Sequence, residues 1–264
     1  MLLRPRALNI VYPFTWTPRD LFYSDEQGAW YDPSELSTLF QDAAGTTPVT
    51  ADGDPVGLML DQSGNGYHAF QTVSAKRLIY RTDGTLHWLE NSGTGQFLET
   101  PAIDFTGTDK ITAVVGLKKD LDEVSRVAFE TSTDASSTDK TFSLFAPSGN
   151  GSNSYRAFSS GTNRTAAGQG VFAAAPDTSV ISLLSDISEP TLKLRRNSSL
   201  VEESTGSQGT GNYGNLPLFI GARGEGSIFF DGNIYSLVIR GAATNSADLD
   251  DLENYTAGLT GVTL

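Results

Sequence analysis

Asp61-Gln62-Ser63-Gly64-Asn65-Gly66 sets oxygen-bearing side chains at positions 1, 3 and 5 and glycine at 6, the first half of an EF-hand calcium loop. Position 12 is Thr72. Without the bidentate glutamate required there, the segment is read as a tight turn feeding a strand from Tyr67, with Asp61 and Asn65 the two residues a calcium ion would use. Gly209-Thr210-Gly211-Asn212-Tyr213-Gly214 matches a dinucleotide fingerprint in letters. The next residues, Asn215 to Ile220, read as a strand carrying Pro217, so no helix N-terminus is available to meet a pyrophosphate. No cofactor is expected.

Nucleophilic catalysis would have to draw on His68 or His87, and no Gly-x-Ser-x-Gly elbow accompanies them. Both histidines are expected to serve strand packing. Paired carboxylates on one strand face would support glycoside hydrolysis, but the Glu-x-Asp-x-x-Glu pattern that sandwich-fold glycosidases use is absent. A non-catalytic protein is therefore expected, with a polysaccharide depolymerase as the enzyme alternative.

Aromatic and planar polar residues on turn-bounded strands remain: Tyr80, Trp88, Tyr155 with Arg156, and Tyr213, near Asn153, Asn163 and Asn212. A pyranose packs its apolar face on a ring and offers hydroxyls to amide, carboxylate or guanidinium partners, so these eight residues are the candidate glycan contacts.

The elements that must position them are set by periodicity. In Lys110 to Lys118, Ile111, Ala113, Val115 and Leu117 fall on one face and Thr112, Val114 and Gly116 on the other, as a strand requires. Similar runs recur at 67–73, 77–80, 124–130, 141–146, 154–158, 180–184, 191–195, 216–221 and 233–240. Turn-rich pieces separate them without amphipathic helices between, which predicts an all-β fold, an antiparallel jelly-roll β-sandwich. Two short helices flank it. Asp32-Pro33-Ser34-Glu35 supplies cap, N1 proline and N3 glutamate for a helix over 33–43, and Thr244-Asn245-Ser246 caps another running to about Ala257, ended by Gly258. The stripe Leu249, Leu252, Tyr255 is expected to cover a sheet edge.

Residues 1–28 lack a clean period and hold Arg4, Arg6, Tyr12, Phe14, Trp16 and Arg19. They are read as an N-terminal arm that wraps the domain or anchors it to a larger assembly, with 29–264 as the sandwich domain. A length of 264 residues suits one such domain, and no run of about 18 apolar residues is present to cross a bilayer. The opening residues carry no signal-peptide pattern. A net charge of −13 repels phosphate backbones, so nucleic acid is excluded as a partner, and zero cysteines exclude disulfides and thiolate metal sites.

Two stretches, Asp61 to Ala69 and Phe230 to Arg240 followed by the capped helix, resemble the concanavalin A-like (laminin G-like) jelly-roll superfamily. Ala29 to Asp42, running into Gly53 to Asp61, is similar to modules of tail, fibre and head-spike proteins of phages and gene transfer agents. That resemblance implies a virion surface protein acting outside the cell. It would bind host surface polysaccharide in many copies and contact other virion proteins through the arm, with a capsid or tail cement protein as the structural alternative.

Overall fold

The computed structural model describes residues 16–134, 139–149, 151–162, 167–224 and 226–264. The alternating strands assemble into two nine-stranded sheets, because a pleated strand sends successive side chains to opposite faces and two stacked sheets bury one face of each. The first sheet runs Ser199–Ser204, Thr191–Arg196, Asp177–Asp186, Lys110–Lys119, Asp231–Arg240, His87–Ser92, Leu78–Thr82 and Pro55–Val56, with Gly28–Tyr31 also paired to Asp231–Arg240. The second runs Ala167–Phe172, Ser154–Ser159, Phe142–Phe145, Val127–Thr131, Leu218–Ile220, Leu98–Glu99, Ala69–Phe70, Leu58–Met59 and Leu39–Phe40. Strand pairs in both sheets are antiparallel, and a two-stranded ribbon joins Ile103–Asp104 to Asn215–Leu216. The molecule is an all-β sandwich.

Register explains the core. Ile111, Ala113, Val115 and Leu117 face inward from the first sheet and meet Phe129, Phe142, Leu144, Tyr155 and Ala157 from the second. The opposite parity of the same long strand is also apolar: Val114 points outward, yet is fully buried with Val180 and Val238 beneath Leu249, Leu252 and Ala257 of the helix Ser246–Thr260. At roughly 1.5 to 3 kcal/mol for each fully buried aliphatic side chain, this layer is a large stabilising contribution. Close approach needs Gly116, where a methyl would sit 2.6 Å from the Thr260 Cγ2 and 2.9 Å from the Thr256 Cγ2.

The C-terminal helix thus lies over a sheet face, not over an edge as expected. Its Asn245 cap accepts from the Asp248 amide at 3.0 Å, and it runs through Gly258 to stop at Gly261, which holds the left-handed φ of 71° that ends helices. An ionic clasp secures it. The Glu253 carboxylate, fully buried, accepts from the Arg195 Nε and Nη2 at 2.8 Å each and from the Ser182 hydroxyl at 2.7 Å.

The other expected helix, over 33–43, does not form. The Asp32 carboxylate accepts from the Ser34 amide at 2.8 Å and from the Tyr255 hydroxyl, a turn tied to the C-terminal helix. Only a 3-10 turn at Leu36–Thr38 comes after it, because Leu39 and Phe40 are taken into the second sheet by pairing with Met59 and Leu58. Long-range pairing overrides the local capping signal.

Of the expected arm, Arg4, Arg6, Tyr12 and Phe14 lie outside the described residues. Pro18–Phe22 form a 3-10 turn whose Leu21 and Phe22 are buried in the helix-side cluster, with Trp16 packed against it and Arg19 exposed. Arg240 pins this stretch, donating to the Leu21 carbonyl at 2.8 Å and the Glu26 carboxylate at 2.6 Å.

Candidate functional site

Three of the aromatic glycan candidates are corrected by the fold. Tyr80, Tyr155 and Tyr213 are 2%, 0% and 1% exposed, so no sugar can stack on them. Each buried hydroxyl has a partner instead: Tyr80 meets the His87 Nδ1 at 2.5 Å, Tyr155 donates to the Asp177 Oδ2 at 2.7 Å, and Tyr213 bonds with the Ser159 and Ser185 hydroxyls at 2.6 and 2.7 Å. Burial pushes the Tyr155 and Tyr213 phenols far above their ordinary range. Trp88 is half-buried and leans on Tyr235 at 5.8 Å between centroids. Asn153 is half-buried, its carbonyl accepting from the Ala173 amide at 2.8 Å, and Asn163 lies outside the described residues. Two candidates stay open to solvent, Arg156 and Asn212.

Asn212 stands on a cleft of about 410 Å³ at one end of the sandwich. One wall grows from two paired strand ends, because the antiparallel register sets Lys110 opposite Asp186. The Lys110 ammonium lies 2.9 Å from the Asp109 carboxylate and 3.1 Å from that of Asp186. The turn after Asp186 is closed by its own carboxylate, which accepts from the Ser188 hydroxyl and the Glu189 amide at 3.0 Å each. Ile187 and Pro190 give the wall its apolar surface.

The opposite wall is the loop Ser207 to Asn212. Its anchor is Gln208, fully buried, which accepts from the Ser185 hydroxyl at 2.6 Å and donates to the Asp186 and Thr191 carbonyls at 2.8 and 2.9 Å. Gly209 and Gly211 hold φ of 90° and 75°, which is why glycine alternates there; the fingerprint letters encode a turn. Thr210 exchanges backbone hydrogen bonds with Thr162 at 2.7 and 3.0 Å, and the Asn212 amide donates to the Thr106 carbonyl at 2.6 Å.

Electrostatics fix the protonation of this wall. The Ser188 hydroxyl, then the Lys110 ammonium, hold the Asp109 carboxyl below its usual range. Partial burial pulls the Asp186 carboxyl upward, but the Glu189 amide, Lys110 and Ser188 outweigh it and the result is again low. Asp109 in turn raises Lys110. At neutral pH both carboxyls are ionised acceptors, and neither is the protonated acid that glycosidic cleavage requires. The arrangement offers a sugar what binding needs: carboxylate, hydroxyl and amide groups around a small apolar patch.

Sequence reasoning missed Asp109, Lys110, Asp186 and Ser188. The available signal was the run Asp186-Ile187-Ser188-Glu189-Pro190, a carboxylate-closed turn directly after an alternating strand. The calcium-loop segment, in contrast, is a structural knot. The Asp61 Oδ1 accepts from the Trp30 and Ser63 amides at 3.0 and 2.9 Å, and its Oδ2 from the Ser63 hydroxyl and Tyr67 amide at 2.8 and 3.0 Å. Asn65 donates to the Glu26 and Gly28 carbonyls, both at 2.9 Å.

No protein-family model matches the chain, and no curated protein matches it. Solved structures do. The botulinum neurotoxin serotype D binding domain aligns with a TM-score of 0.58 and 9% identity, covering 88% of this chain and 52% of that one. The botulinum neurotoxin type G receptor binding domain gives 0.55 and 11%, covering 78% and 51%. A structure of botulinum neurotoxin type C, whose entry into cells is described as dependent on interaction with two ganglioside molecules, gives 0.52 and 11%, covering 88% and 51%. This chain spans about half the length of the structures it matches. At such identities the likeness establishes the sandwich fold and leaves function to the site.

Proposed function

We propose that this chain is a non-catalytic glycan-binding protein, displayed in many copies on the surface of a phage-like particle and bound to host cell-surface polysaccharide. The observation that carries this reading is the open cleft lined on one side by Asp109, Ile187, Ser188 and Pro190 and on the other by the loop Ser207 to Asn212, where one ionised carboxylate, hydroxyls and an amide surround Ile187 and Pro190. Sandwich relatives in fold that are named as receptor-binding or ganglioside-dependent support a glycan as the ligand class. Weak single sites suffice, because after one contact on a multicopy particle the remaining sites act at high local concentration. An acidic surface of net charge −13 keeps such particles dispersed. In this reading the residues before Trp16 contact other virion proteins, Trp16 to Gly28 being packed on the domain itself, and the protein acts outside the host cell.

A glycan array probed with a multimerised form of the protein tests this. Binding to one or more envelope polysaccharides, weakened when Asn212 and Ser188 are both changed to alanine, is the expected result. Absence of binding to every host polysaccharide overturns it. Deletion of the protein from its particle separates the rival structural role: intact particles that fail to adsorb support the adhesin, and fragile particles that still adsorb support a cement protein. Release of reducing sugar from capsule would return the depolymerase.

A further inference from the structure

The outer face of the second sheet carries a feature that the cleft does not use. Cross-strand register sets Phe145 opposite Arg156 and Arg156 opposite Gly170; two residues along, Ser143 faces Phe158 and Phe158 faces Gly168. Residues two apart in a strand share a face, so Phe145, Arg156 and Phe158 stand together beside the two glycines. Phe145 and Phe158 pack edge to face at 5.0 Å, and the Arg156 guanidinium lies 4.7 Å from the Phe158 centroid. Phe172, next on the glycine strand and opposite Ser154, is 76% exposed. Diagonal neighbours on a sheet face lie roughly 7 to 8 Å apart, within reach of an arginine and a ring.

Two aspects make this more than a scatter of surface residues. Gly170 is not among the glycines of positive φ, although a methyl there would crowd the Tyr155 carbonyl at 3.1 Å; with Gly168 it leaves a side-chain-free strip beside Arg156. Among the described residues no carboxylate pairs with Arg156, although acidic residues outnumber basic ones by 31 to 18 in the chain. A guanidinium stacked on a ring is fixed in orientation while its N–H edge stays available for a bidentate carboxylate.

We infer that this face is a second binding site, separate from the cleft, for a carboxylated sugar residue. The apolar face of the pyranose stacks on Phe172, the ring lies over the glycine strip, and the carboxylate takes the Arg156 N–H edge. The ligand class is thereby an acidic polysaccharide built on uronate or sialate units, whether or not the cleft binds sugar.

The test uses the full chain and calorimetric titration with glucuronate-, galacturonate- and sialate-containing oligosaccharides, each beside its methyl ester, which keeps the ring and removes the charge. At least one acid is expected to bind, with its ester weaker by about tenfold, the loss of a charge-assisted bidentate contact. Arg156→Ala is expected to weaken the acid by about tenfold, Arg156→Lys by less, and Phe172→Ser to weaken acid and ester alike. Both side chains are exposed, so unchanged melting temperatures verify folding. The paired Asn212→Ala and Ser188→Ala changes are expected to leave acid binding intact, so failure of the cleft and failure of this face read out separately. The proposal is overturned if no acid binds, if acid and ester bind equally, or if Arg156→Ala changes nothing.

Discussion

The two broad faces of the sandwich are built on the same backbone and treated in opposite ways. On the first sheet, the strand Lys110–Lys119 is buried on both parities, and Val114, Val180 and Val238 are sealed by the helix Ser246–Thr260. On the second, Ser154–Ser159 alternates, with Tyr155 and Ala157 inside while Arg156 is exposed and Phe158 half-buried. A covering layer is thus written into a strand as loss of alternation, whereas a face kept for solvent or ligand retains it. The side chains that hold a cover in place are withdrawn from any ligand.

The contrast is most exposed to refutation at the ionic clasp. Glu253→Ala removes the buried acceptor of Arg195 and Ser182 and leaves the partly exposed Arg195 with Asp250 at 3.7 Å, which is expected to cost about 1.5 to 3 kcal/mol, read as a fall in the denaturant midpoint. Gly116→Val places methyl groups into Thr256 and Thr260 and forces the helix off the sheet, with an expected loss of about 1 to 3 kcal/mol by the same measurement. An unchanged midpoint in both variants would mean that the helix layer is decorative.

A smaller effect is read through pH. Burial pulls the Asp177 carboxyl upward, but the Ser179 and Tyr155 hydroxyls and the Arg196 guanidinium outweigh it and hold it below its usual range in the fold. Its unfolded value is the ordinary one near 4, so its stabilisation is complete above that and is lost as pH falls through the lower folded value. Melting temperature is expected to drop between roughly pH 5 and pH 2, and Asp177→Asn to flatten that drop at a cost of about 1 to 2 kcal/mol at neutral pH. The open face should respond least: Arg156→Ala and Phe172→Ser are each expected to move stability by less than about 0.5 kcal/mol, whatever they do to sugar affinity.

Much of the architecture was legible in the residues. The inward set Ile111, Ala113, Val115 and Leu117 follows directly from period two, and the apolar outward Val114 already hinted at a cover. The tyrosines were not read correctly, although parity held a clue: adjacent residues face opposite sides, so Tyr155 and Arg156 cannot both be ligand contacts on one face. The cleft was illegible because its walls come from residues near 109, 186–190 and 207–212, brought together only by register and by the buried Gln208. The helix over 33–43 failed for a related reason, since a local cap was outweighed by a pairing partner some 20 residues away.

The place of Asp231–Arg240 in its sheet has a consequence for biogenesis. Among the described strands of the sandwich this one is last in chain order, yet it belongs at the centre, flanked by Lys110–Lys119, His87–Ser92 and Gly28–Tyr31. Until it arrives, the nascent polypeptide carries two half-sheets with raw, unpaired margins on either side of a missing plank. Chains that stop before residue 231 are therefore expected to precipitate rather than to yield a smaller soluble protein, and expression trials should keep this last plank in place.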